Sequence, residues 1–220
     1  MRVCVLFSAT TLFFVSAVQA NAGDSTITLS YMQQSNSHVY QDLAVFKQIT
    51  DQFIGSEHFG ASTTPYRDAE GIALSYRYEF TDCWGVIGRL SYTGLRRGMQ
   101  IRRGHDYGPG VPVLVDGRSR SQRWGVMAGP SYRITDNISL YGLAGASVDR
   151  LSWHLQVADG ANAELGTDLQ MSSQEKTHVS MAYAAGIQLN AAGYVLDFSY
   201  TGVGGVDHSH GFTVGAGFMF

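Results

Sequence analysis

From residue 26 onward, apolar and polar side chains alternate in short segments, the two-residue period of a β-strand whose two faces differ. Thr26–Gln34 sets Ile27, Leu29 and Tyr31 against Thr28 and Ser30. Gly71–Phe80 sets Ile72, Leu74, Tyr76, Tyr78 and Phe80 against Ala73, Ser75, Arg77 and Glu79. Trp84–Gly94 and Gln122–Ile134 repeat the pattern, with Pro130 predicting an irregularity because proline cannot donate to a ladder. Ile138–Leu151 follows with the least separated faces. Thr177–Leu189, the strand beginning at Tyr194 and ending near Thr201, and Gly211–Phe220 complete eight predicted strands.

The connections alternate too. Thr81-Asp82-Cys83, Thr135-Asp136-Asn137 and Asn190-Ala191-Ala192-Gly193 are tight. Ser35–Glu70, Leu95–Ser121 and the stretch after Leu151 are long and polar, and Gly202–Ser209 is intermediate. Short turns on one side and long loops on the other describe an outer-membrane barrel, with periplasmic turns and extracellular loops. A soluble β-sandwich also alternates, but it would show its polar face to water. Here that face is mostly Gly, Ala and Ser, with the charges Arg77, Glu79, Arg89, Arg133, Asp149 and Asp197. A narrow barrel interior accounts for both features: small side chains fill it, and a few opposed charges pair inside. The same charges argue against an open channel.

The first 22 residues change the picture by supplying a route. Arg2 and the apolar run Val3–Val18 read as an export signal, cleaved after Ala20 or after Ala22. The domain reading is therefore a signal peptide, 1–20, and an outer-membrane barrel, 21–220. Removing the signal removes Cys4 and leaves Cys83 alone, so no internal disulfide framework is expected. No later stretch has the roughly 20 apolar residues of a membrane helix, so any span must be a closed barrel. The last strand carries Phe212, Val214, Phe218 and Phe220 on one face. Such an alternating terminus ending in Phe is an expected signal for the barrel-assembly machinery.

Three stretches, GIALSYRYEFTDCWGVIGRLSYT (Gly71–Thr93), WGVMAGPSYRITDNISLYGLAG (Trp124–Gly145) and YAAGIQLNAAGYVLDFSY (Tyr183–Tyr200), resemble the Ail/Lom/OmpX family of enterobacterial outer-membrane proteins. The resemblance implies an all-β, eight-stranded antiparallel up-and-down transmembrane barrel. It also implies adhesion, invasion or resistance to serum and complement, rather than catalysis. The long loops fall outside it, and loops on such a scaffold carry partner specificity.

The net charge of -3 names no partner, but its distribution does. Arg96, Arg97, Arg102, Arg103, Arg118 and Arg120 crowd the second long loop, opposed by Asp106 and Asp116, with Arg123 at the strand edge. Only two lysines occur in the chain. Arginine's planar fork suits bidentate contact with phosphate or sulfate. The expected ligands of this loop are therefore lipopolysaccharide phosphates and sulfated glycans, and the family resemblance adds host matrix or complement regulators. An unliganded, solvated loop is the bland alternative. A structural, envelope-stabilising barrel without a host partner is the competing function.

Other candidate chemistry is weaker. Leu43, Phe46, Ile49, Thr50 and Phe53 have helical spacing in the first loop. His178 and Ser180 share a face, as an esterase acting on lipid A would need, but the register points them inward, away from lipid. His208 and His210 lack an identifiable third metal ligand. No catalytic residue, metal, cofactor or nucleic-acid partner is assigned, and a monomer is expected.

Overall fold

A computed structural model describes residues 23–35, 58–63, 67–104, 111–166, 168, 170–204 and 208–220. The export signal and the Leu43–Phe53 stretch lie outside the described residues. The elements are β1 (Ser25–Gln34), β2 (Phe59–Thr63), β3 (Ala69–Glu79), β4 (Trp84–Arg103), β5 (Val113–Thr135), β6 (Ile138–Val157), α1 (Ala161–Leu165), β7 (Ser172–Ala191), β8 (Tyr194–Val203) and β9 (Ser209–Met219).

All nine strands belong to one sheet. Each strand except β2 pairs antiparallel with its sequence neighbours, and β1 pairs with β9, so eight strands close on themselves. The closing seam includes Phe220, whose backbone exchanges two hydrogen bonds of 2.8 Å with Ser25. Closure leaves no sheet edge around the wall, which is what a hydrocarbon surrounding demands.

The alternation sorts the side chains as the pattern predicts. Leu29, Tyr31, Ile72, Trp84, Leu90, Trp124, Val126, Tyr132, Tyr183, Phe198, Phe212, Val214 and Phe218 point outward, an apolar wall that in water would be a severe liability. Thr28, Ser75, Ser131, Ser199 and Thr213 point inward and are buried. Strand β6, whose pattern was least separated, puts Tyr141 and Leu143 inside and Leu140 outside.

Arg77, Glu79, Arg89, Arg133 and Asp197 all lie inside, and Arg123 joins them. Arg123 is therefore not a loop-edge charge: it pairs with Asp149 at 2.8 Å, while Ser121 donates to the same carboxylate at 3.0 Å. In the middle storey Arg89 donates to Ser75, Ser199, Tyr141 and Asp197, and Tyr141 and Gln188 also donate to Asp197. Tyr141 reaches this centre by lying across Gly186, where any Cβ would collide with its ring. Nearest the termini, Glu79 pairs with Arg77 at 3.3 Å and also with Arg133. Buried charges survive when each has an opposite partner, and in all three storeys each does, while the storeys obstruct the lumen.

One expectation needs correction. The Leu95–Ser121 stretch is not a loop over most of its length: β4 continues to Arg103 and β5 begins at Val113, paired residue by residue from Leu95↔Ser121 to Arg102↔Val113, with one register shift. Pro130 carries the expected irregularity, as a gap in one ladder rather than a bulge. Its pairing to Val86 of β4 is unbroken, the ladder to β6 lapses at Gly129 and Pro130, and the register shift falls later, between Arg133 and Thr135.

Strands β4, β5, β6 and β7 have 20 to 23 residues, whereas β1, β3, β8 and β9 have 10 or 11. A membrane crossing takes about 9–11 residues, so the four long strands overshoot the wall by roughly 30 Å. The overshoot, flanked by β2 on β4, is a continuation of the same sheet with its own small core. Met99, Ile101, Leu114, Val115, Leu155 and Val157 bury its inner face, and Ala161 and Leu165 of α1 close it. A five-residue helix is not stable alone. It is bracketed by Gly160 and Gly166, both left-handed, and held by Arg103, which donates to both Glu164 oxygens at 2.6 and 2.5 Å.

Candidate ligand-binding face

Because the pleat continues into the overshoot, the arginines divide by parity. Odd positions on β4 turn inward as far as Ile101, and Arg103 beyond it is exposed. Arg97 donates to the Arg67 carbonyl at 2.8 Å, and Arg103 is occupied by Glu164. Even positions turn outward, so Arg96 and Arg102 share the outer face with Arg118 and Arg120 of β5. The six arginines expected to act together thus form one outward group of four and two structural members.

The outward group gains residues from β6. Arg120 stands opposite Arg96 on one side and Ser152 on the other; Arg118 stands opposite Gly98 and His154; Gln122 stands opposite Gly94 and Arg150. Arg96, Arg118, Arg120, Arg150 and His154 are exposed. With adjacent strands ~4.8 Å apart, these cations occupy a patch three strands wide. Arg102 extends it about 20 Å beyond Arg96 along the strand. Arg150 and His154 were legible in principle, since Arg150, Ser152, His154 and Gln156 alternate with Leu151, Trp153, Leu155 and Val157. Ending that strand at Leu151 left His154 outside it.

A groove of about 870 Å³ crosses this face, lined among others by Ser62, Arg96, Gln100, Arg118, Arg120 and His154. Its carboxylates are few. Asp116 pairs with Arg118 at 2.8 Å, and Glu175 lies beyond Ser152 on β7. Arg96, Arg120 and Arg150 have no ion-pair partner among the described residues. Below the patch an aromatic pair, Tyr92 and Trp124, packs at 4.7 Å between centroids, and Gln122 donates to the Tyr92 hydroxyl at 2.7 Å. This is the aromatic belt expected where the apolar wall meets water.

His178 and Ser180 lie on the interior side of β7, as the register predicted, so they do not face lipid. His210 stacks on Tyr200 at 6.3 Å, with its Nδ1 3.4 Å from the Ser35 hydroxyl. Among the described residues no group of three His, Cys, Asp or Glu could hold a metal.

The family model of the enterobacterial Ail/Lom protein matches residues 50–220. The chain belongs to the Ail/Lom family. It is 28% identical to outer membrane protein Lom of Escherichia phage lambda, over 94% of this chain and 92% of Lom. It is 34% identical to the attachment invasion locus protein of Yersinia enterocolitica, over 60% of this chain and 62% of that protein. The crystal structure of Yersinia pestis Ail with the heparin analogue sucrose octasulfate superposes with a TM-score of 0.56 at 26% identity, covering 90% of this chain and 99% of that one. As a member of the Ail/Lom family with this barrel, the chain is an outer-membrane protein. Its tight turns and the Ser25–Phe220 seam lie at the periplasmic end, and its basic overshoot at the extracellular end.

Proposed function

We propose that this Ail/Lom protein is a non-enzymatic attachment and serum-resistance factor that grips polyanionic glycans on the outer face of its extracellular sheet. The observation that carries the reading is the register pair Arg96 and Arg120. Like charges directly opposite each other destabilise a sheet, and a bound sulfate or phosphate reverses that sign by accepting from both guanidinium forks. Arg118, Arg150 and Arg102 extend the same face to the length of an oligosaccharide. That a relative, Yersinia pestis Ail, takes a heparin analogue supports sulfated glycans as the class. The assembly machinery is expected to meet the opposite end, through Phe212, Val214, Phe218 and Phe220.

The position of Arg150 and Gln122 beside Trp124 favours a second ligand of the same chemistry, the lipopolysaccharide phosphates of the surrounding leaflet. The test compares full-length protein with a variant carrying Gln at 96, 118, 120 and 150, in phospholipid nanodiscs and in lipopolysaccharide bilayers. Heparin affinity should fall and its salt dependence become shallower. Equal, salt-independent retention of heparin by both proteins would remove the groove as the site. Loss of wild-type heparin binding only in lipopolysaccharide would identify the leaflet phosphates as the occupant. Adhesion and serum survival of a laboratory strain expressing either protein test the biological half.

A further inference from the structure

We infer that His154 makes this groove acid-responsive, so that it holds a sulfated glycan more tightly as pH falls; the inference rests on the polyanion reading above. His154 is exposed and lines the groove. The groups around it come from three strands. On β5, Arg118 is its direct partner, with Asp116 and Arg120 diagonal to it. On β7, Ser173 is its direct partner and Glu175 is diagonal. On β6, Ser152 and Gln156 flank it.

Asp116 is committed to Arg118 at 2.8 Å and to Gln100 at 3.5 Å, and among the described residues Glu175 makes no ion pair with the imidazole. Imidazoles take up a proton between roughly pH 8 and 5, the one side chain that ordinarily does so there. Sulfate esters stay ionised throughout. Acidification therefore adds a cation to a groove already rich in arginine without changing the ligand. A sulfate seated on Arg118 and Arg120 attracts the added charge. The gain thus appears in binding rather than in the fold.

The experiment uses full-length protein in lipopolysaccharide-free nanodiscs, fluorescent heparin, and fixed salt at pH 7.5 and 5.5. Wild type should bind about two- to fivefold more tightly at the lower pH, the scale of one exposed charge pair. His154→Gln should lose most of that rise, and His154→Arg should bind tightly at both values. His178→Gln, on the interior face, should keep it. If His154→Gln retains the full rise, or His178→Gln abolishes it, the inference is overturned while the groove stands. If wild type binds heparin at neither pH, the groove reading itself falls, and the inference with it.

Discussion

Arg96 and Arg120 face each other across the β4–β5 ladder, both exposed and without an ion-pair partner among the described residues. A fold seldom places two guanidinium groups in register unless something else neutralises them. That relationship is also what turns a basic stretch of sequence into a surface, because it requires both residues to be in strands.

Limited proteolysis tests the strand assignment directly. Arg118 and Arg120 are paired on both sides, to β4 and to β6. Trypsin needs an extended, unpaired segment, so native protein in nanodiscs should yield no fragments ending at either residue, while urea-unfolded protein yields both. Native cleavage at Arg120, detected by mass spectrometry, would restore the loop.

The middle storey should show strong coupling. Asp197 accepts from Arg89 at 3.2 Å, Tyr141 at 2.8 Å and Gln188 at 2.7 Å. Asp197→Ala strands a buried guanidinium and should cost about 3–5 kcal/mol in urea unfolding from lipid. The double variant Arg89→Met/Asp197→Leu should cost clearly less than the sum of the single changes. Additivity would mean that the two charges are not paired.

The helix clamp predicts a pH response of opposite origin to that of His154. The hydrogen bond from Arg103 holds the Glu164 carboxyl below its ordinary value of 4.5. A depressed carboxyl stabilises the fold above the unfolded pKa, and that stabilisation is lost as pH falls through the folded one. Docking of α1 should therefore be constant from neutrality to about pH 5 and weaken below 4.5. Trp153, which packs against the small core, can report it by fluorescence once Trp84 and Trp124 are replaced by Phe. Glu164→Gln should flatten the acid transition. An unchanged transition would assign it to other groups.

One periplasmic turn can be improved. The link between β7 and β8 is only Ala192-Gly193, with φ of 51° and 85°. This left-handed pair is the geometry of a type I′ hairpin, which favours Asn-Gly. Ala192→Asn should raise stability by roughly 0.4–1 kcal/mol, and Ala192→Val should lower it, measured as the shift in the urea midpoint. Identical midpoints for all three proteins would contradict the turn type.

The strands, the direction in which each side chain faces and the closed barrel were legible in the chain because one rule, a two-residue alternation between hydrocarbon and a narrow interior, governs every segment inside the membrane. The inward set Arg77, Glu79, Arg89, Arg133 and Asp197 followed from parity alone. That rule weakens where β4 to β7 leave the lipid, since both faces then meet water or a small local core. Arginines on paired strands there look like a polar loop, and Arg123 looks like the end of one. Only the tertiary partners, the Arg67 carbonyl and the Glu164 carboxylate, decided that Arg97 and Arg103 are structural. The cross-strand register, set by β5 lying between β4 and β6, brought Arg150 and His154 beside Arg120 and Arg118, because residues some 30 positions apart become neighbours solely through strand pairing.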